Sequence, residues 1–168
     1  GIPYCYGYGF SGRSALTQSR FLAEEDRDLV PFDKAHRLLD RLGVLVDEYE
    51  PRLPVLLEAR QAVERYYADC PKPWIALGIG SSEPYKQWGT ARFAALSSAI
   101  LDHDLAKTVF VIGGPSERLM AKAVLSTDLR PGAVSVIGEP LQHVSALLSN
   151  CCAYIGNDTG VLNMAAAL

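Results

Sequence analysis

Four short runs carry the side chains best suited to chemistry. They are Gly80-Ser81-Ser82 with Lys86 following, Gly113-Gly114-Pro115-Ser116-Glu117, Gly138-Glu139-Pro140 and Gly156-Asn157-Asp158-Thr159-Gly160. Each pairs glycine, which lets a backbone approach a ligand closely, with polar groups. The hydroxyls of Ser81 and Ser82 and the ammonium of Lys86 suit phosphate oxygens. Glu117 suits the hydroxyls of a ribose diol. At Asp158-Thr159-Gly160 a polar turn enters an apolar helical pattern, where unsatisfied backbone N–H groups and a hydroxyl form an anion site. Each run also has a plainer reading. Lys86 is then a surface charge, Glu117 favours a helix start through the dipole, and Asp158 or Thr159 caps a helix. Gly138-Glu139-Pro140 offers no specific chemistry beyond lining a base pocket.

The elements that would position these runs are regular from about Trp74 onward. Trp74 to Ile79, Thr108 to Ile112, Val134 to Ile137 and Ala153 to Ile155 read as strands, the first two as continuous apolar runs buried on both faces. Helices are expected from Thr90, from Ser116 to Leu125, over Leu141 to Leu148, and from Gly160 onward, with Thr90 and Ser116 as caps. Alternation of this kind with short connections predicts an α/β fold, a Rossmann-like parallel sheet with flanking helices. Ligands in such sheets lie beyond the carboxyl ends of the strands, where all four runs fall.

Earlier residues are less regular. Tyr4 to Phe10 suggests one strand leading into Gly9-Phe10-Ser11-Gly12-Arg13. His36 to Leu42 and Val55 to Ala68 read as helices, and Pro71 and Pro73 mark a domain boundary at about residue 70. The chain lacks a starting Met and stops at Ala165-Ala166-Ala167-Leu168 within a helical pattern, so the expectation is a fragment truncated at both ends.

Composition removes several classes of function. A net charge of −3, from 16 basic and 19 acidic residues without a basic cluster, argues against nucleic acid. No apolar run reaches the ~18 residues of a transmembrane helix, and the first residues lack the pattern of a signal peptide. Of the four cysteines, Cys5, Cys70, Cys151 and Cys152, none forms a C-x-x-C pair. Cys151 and Cys152 read as buried core thiols, and a reducing cytoplasm fits. His36, His103 and His143 have no catalytic context. The first strand end is no P-loop, and Gly78-x-Gly80-x-x-Glu83 lacks the third glycine of a dinucleotide fingerprint.

In order and separation, these segments resemble glycosyltransferase family 9, the ADP-heptose:lipopolysaccharide heptosyltransferases. The matching pieces are Gly80-Ser81-Ser82 with Lys86-Gln87-Trp88, Gly113 to Glu117, Leu147-Leu148-Ser149-Asn150-Cys151, and Gly156 to Gly160 with Ala165 to Leu168. The resemblance is good over residues 71–168. It implies the GT-B architecture, with residues 1–70 the end of an acceptor-side domain and its connection, and 71–168 part of a nucleotide-sugar-binding domain. It further implies that Ser81, Ser82 and Lys86 contact donor phosphates, that Glu117 reaches the ribose, and that Asp158, Thr159 and Gly160 meet the diphosphate and sugar. The reaction implied is inverting transfer from a nucleotide sugar such as ADP-heptose to a lipopolysaccharide-core or other glycan acceptor, lipid-linked or free. No metal and no separate cofactor are expected. The implied location is the cytoplasm, with peripheral contact at the cytoplasmic face of the inner membrane.

Two departures bear on this resemblance. Asn163 stands where the family usually has histidine, and asparagine carries neither proton nor charge. The family's catalytic base, an aspartate near the start of the first domain, has no counterpart in this chain, so the base is expected outside it. Rival readings are a nucleotide-sugar epimerase or another GT-B enzyme, and a non-catalytic nucleotide-binding module.

Overall fold

A computed structural model describes residues 6–8, 18–20, 26, 28–46, 50–126 and 131–168. The chain divides into two compact units, Gly1–Pro51 and Arg52–Leu168.

In the first unit, β1 (Tyr6–Tyr8) pairs in parallel with β2 (Gln18–Arg20). The glycine-rich turn expected at residues 9–13, and Cys5, lie outside the described residues. Helix α1 (Pro31–Arg41) begins five positions before the expected His36. Proline at the first helical position needs no hydrogen-bond partner for its nitrogen and already has a helical φ. The extra turn brings Phe32 against His36, ring centroids 4.5 Å apart. Arg41 bonds the buried Asp26 carboxylate, with Arg37 Nε 3.7 Å away.

The second unit is a four-stranded, all-parallel sheet in the order β5-β4-β3-β6. Its strands are β3 (Trp74–Gly78), β4 (Thr108–Gly113), β5 (Ala133–Ile137) and β6 (Ala153–Gly156). From β3 the chain steps outward through β4 to β5, then crosses back to place β6 on the other side of β3. That reversal leaves a crevice at the carboxyl ends of β3 and β6.

Both faces are covered, as the apolar runs require. Every residue of β3 is buried. Ile75, Leu77, Val109 and Val111 pack against α3 (Thr90–Asp102) and α4 (Arg118–Ser126). Trp74, Ala76, Phe110 and Ile112 pack against α2 (Leu57–Tyr66), α5 (Leu141–Leu148) and α6 (Gly160–Ala166). Each fully buried Leu, Val or Phe contributes ~1.5–3 kcal/mol relative to an exposed one. Helix α2 lies with the sheet through buried Ala59 and Val63, and Pro71 and Pro73 connect it to β3.

Three local expectations are corrected. Thr90 does not cap α3. Gly89, at φ 104°, takes the N-cap position and Thr90 is the first helical residue. A glycine accepts that left-handed φ without the clash a Cβ would bring. Ser116 does not cap α4 either, because a 3₁₀ turn over Pro115–Glu117 precedes the helix. Cys152 is exposed, its thiol donating to the Trp74 carbonyl at 3.1 Å, so it is not a core thiol. Cys151 is half-buried, and burial pushes its thiol up to about 12.

Candidate functional site

The four polar runs gather at the carboxyl edge of the sheet because all four strands point the same way. Two neighbouring hollows open there. The first, of about 290 Å³, is lined by Ser81 and Ser82 after β3, by Ser116 and Glu117 after β4, and by Tyr154, Thr159 and Val161 from β6 and α6. The second, of about 600 Å³, is lined by Tyr85, Lys86, Trp88, Arg92, Asn157 and Asp158, among others. Ser81, Ser82, Glu117 and Thr159 thus share one hollow, and Lys86 and Asp158 the other.

Glu117 is placed by its own turn. Its Oε2 accepts the Gly114 N–H at 2.7 Å and its Oε1 accepts the Ser116 hydroxyl at 2.8 Å. This closes the 3₁₀ turn and satisfies a backbone donor that would otherwise be orphaned. A Cβ on Gly80 would sit 3.2 Å from the same carboxylate, so glycine there leaves Glu117 room to lie over the strand ends. Each carboxylate oxygen has a second lone pair, which leaves acceptor capacity toward the hollow. Ser81 is held locally too, its Oγ accepting the Glu83 N–H at 3.3 Å.

Lys86 ends a short 3₁₀ turn over Pro84–Lys86. Its ammonium donates to Asp158 Oδ2 at 3.1 Å and lies 3.1 Å from Glu83 Oε2. Asp158 first, then Glu83, hold the Lys86 ammonium above its ordinary 10.5. Glu83 also accepts the Tyr85 hydroxyl at 2.6 Å, and that bond, followed by the one from Lys86, lowers its carboxyl below 4.5. The group is open to water and stays charged at neutral pH.

Thr159 occupies the N-cap position of α6 in extended conformation, and neither it nor Asp158 makes a side-chain cap bond. The capping reading of this turn is therefore not what the structure adopts. Gly160 is exposed, and a Cβ there would meet nothing within 4 Å, so packing does not demand the glycine. Asn163 is exposed on α6 and lines neither hollow.

Two residues absent from the sequence-based set shape the crevice. The Tyr154 ring lies along the ends of β3 and β6, where a Cβ on Gly78 would fall 2.6 Å from its Cζ. Burial raises the Tyr154 phenol above 10; Thr159 pulls the other way, and the buried hydroxyl has no partner at hydrogen-bond geometry. The second is Asn157, only 6% exposed, whose amide Nδ2 donates to the carbonyls of Ile79 at 2.8 Å and Gly80 at 3.2 Å. Its Oδ1 accepts the Trp88 N–H at 3.0 Å. Its place between Gly156 and Asp158 is the sequence signal, but its partners sit 69 to 78 residues back.

His143 sits 3.4 Å from Glu139 on α5, away from these hollows, and His103 ends α3. No group of three or more His, Cys, Asp or Glu side chains placed to hold a metal occurs among the described residues. Nor is any helix among them long and apolar enough to cross a membrane.

A parallel sheet flanked by helices, with hydroxyls, a carboxylate and an ammonium at its switch point, defines a Rossmann-like α/β unit. The sequence profile of glycosyltransferase family 9 (heptosyltransferase) matches residues 1–168, and the chain belongs to that family. Among solved structures, the glycosyl transferase family 9 protein from Veillonella parvula DSM 2008 is similar at TM-score 0.79 and 22% identity, over 98% of this chain and 48% of that one. E. coli ADP-heptose lps heptosyltransferase II is similar at TM-score 0.63 and 22% identity, over 73% and 39%. E. coli heptosyltransferase WaaC with ADP is similar at TM-score 0.59 and 14% identity, over 90% and 46%. These likenesses establish the fold, an α/β architecture shared with GT-B glycosyltransferases, and the chain spans less than half the length of each. No curated protein matches the chain.

Proposed function

We propose that residues 52–168 hold the nucleotide-sugar donor of an inverting glycosyl transfer, with an ADP-activated heptose as the best-supported donor. The observation that carries this is the convergence of Ser81, Ser82, Glu117 and Thr159, from three strand ends, on one hollow. Lys86 and Asp158 stand beside it. Family membership and the ADP and ADP-heptose named for similar structures support the same reading.

In this reading Glu117 accepts hydrogen bonds from the ribose, and Ser81, Ser82 and Thr159 donate to the diphosphate. Lys86 turns from Asp158 toward the phosphates as negative charge develops on the leaving group, so its stabilisation is greatest in the transition state. Asp158 and Gly160 face the sugar end of the donor. An acceptor hydroxyl attacks the anomeric carbon from the side opposite the diphosphate. A new C–O bond forms, the bond to the diphosphate oxygen breaks, and the configuration inverts. The proton passes to a general base assigned to no residue of this chain. No metal or other cofactor is required, since Lys86 and backbone amides balance the leaving charge. The acceptor in this reading is a lipopolysaccharide-core or other glycan, and the proposed location is the cytoplasm, with peripheral contact at the cytoplasmic face of the inner membrane.

Asn163 is the one feature that favours a non-catalytic module, and its exposed position outside both hollows removes most of that support. Calorimetry with ADP, ADP-sugars, GDP and UDP tests the donor reading. Binding of ADP or an ADP-sugar in preference to the others is expected, and a folded protein that binds none of them overturns it. Incubation with ADP-heptose then separates transfer from epimerisation, since an epimerase would convert the sugar without an acceptor.

A further inference from the structure

Strands β3 and β6 cease pairing at Gly78 and Gly156, and beyond that point no ladder holds the two chain segments together. Asn157 is the first residue after the ladder. Its backbone N–H donates to the Gly78 carbonyl at 3.0 Å. Its side chain then reaches both ends of the loop that carries Ser81, Ser82 and Lys86. Nδ2 holds the start of that loop through the Ile79 and Gly80 carbonyls, at 2.8 and 3.2 Å. Oδ1 holds its end through the Trp88 N–H at 3.0 Å. A primary amide offers two N–H donors and a carbonyl acceptor at one tip, and this arrangement uses both donors and the acceptor. Aspartate would keep the acceptor, lose both donors and set a charge against two carbonyls. The residues on either side of the clamp are the candidate ligand contacts, Asp158 and Thr159 on one and the Ser81–Lys86 loop on the other.

We infer that Asn157 is a positioning residue. It fixes the loop after β3 against the turn after β6, so that the donor hollow exists before any ligand enters. Preformed geometry lowers the ordering cost of binding, so loosening the clamp weakens affinity without a contact to the ligand being lost. The affinity consequence rests on the nucleotide-binding reading, whereas the clamp itself does not.

Amide hydrogen exchange and ADP calorimetry on the whole chain, native and N157D, test this. In the native protein the Trp88 amide is expected to be protected although it ends an exposed loop; exchange at an unprotected rate overturns the clamp without any variant. In N157D, protection across residues 81–88 should fall while that of β3 and β4 persists. ADP affinity should drop about tenfold or more, the cost of leaving buried carbonyls unpaired. Part of that loss should return, relative to the native protein, as pH falls through the pKa of the introduced carboxyl, because the neutral acid regains one donor. A purely structural role would not give that pH-dependent recovery in affinity. A folded N157D with native affinity overturns the inference, and N157S supplies the same comparison if N157D does not fold. A native protein that binds no nucleoside diphosphate while Trp88 is protected overturns the donor reading and upholds the clamp.

Discussion

Lys86 and Asp158 meet as an ion pair at 3.1 Å although 72 residues of chain separate them. The pair links the loop after β3 to the turn after β6, on opposite sides of the crevice. Both partners are open to solvent, so the pair adds little to stability. Its consequence lies in where it holds the ammonium.

Lys86→Ala is therefore expected to leave the thermal midpoint nearly unchanged and to weaken ADP binding by about tenfold or more, because a charge-assisted hydrogen bond to the diphosphate is lost. The pH dependence follows from two shifts of opposite sign. Lys86 is raised above 10.5, so its contribution is complete below that value and is lost as pH climbs through the raised pKa. Glu83 is lowered below 4.5, so its contribution is complete above that value and is lost as pH falls through the lowered pKa. Between those limits the cluster contributes no pH dependence to ADP affinity. A Lys86→Ala protein that binds ADP as the native one does would remove Lys86 from the site.

Glu117 holds its turn and faces the hollow, and two substitutions separate those duties. Glu117→Ala removes the acceptor for the Gly114 N–H and should cost ~0.5–2 kcal/mol in urea unfolding. Glu117→Gln keeps a carbonyl acceptor and should be milder. If the carboxylate also binds the ribose, both variants lose ADP affinity, with Gln losing binding out of proportion to stability. Native affinity in Glu117→Gln would confine the residue to its structural duty.

Gly78→Ala drives a methyl group against the Tyr154 ring, 2.6 Å from Cζ in the present geometry. Overpacking of this kind costs ~1–3 kcal/mol. In Gly78→Ala/Tyr154→Ala the two changes should be strongly non-additive, because the ring that the methyl strikes is gone. Additive losses in a double-mutant cycle by chemical denaturation would mean that Gly78 is required for another reason.

Much of this architecture can be read from local pattern. The runs Trp74 to Ile79 and Thr108 to Ile112 read as strands buried on both faces, and β3 is buried throughout while β4 is buried up to Gly113. Helix α5 spans Leu141–Leu148, as its apolar spacing demands. Since parallel strands all point one way, their polar ends had to share an edge, and Ser81, Ser82, Glu117 and Thr159 could be nominated together. Helix starts were less legible. Hydroxyl residues at Thr90 and Ser116 matched the capping preference, but the N-cap positions fall at Gly89 and, ahead of the 3₁₀ turn, at Gly114.

Tertiary structure alone decided how the nominated residues divide and what holds them. The order β5-β4-β3-β6 puts β6 beside β3, and nothing local in either strand specifies that neighbour. From it follow the Lys86–Asp158 pair, the bed of Gly78 beneath Tyr154, and the reach of Asn157 to Ile79, Gly80 and Trp88. These contacts join segments about 70 to 80 residues apart, a range at which spacing along the chain carries no signal. A phosphate-binding role for Asp158-Thr159-Gly160 could be proposed from its residue types. The hydrogen bonds that Asn157 makes to the loop after β3 arise only when the two strand ends are brought side by side.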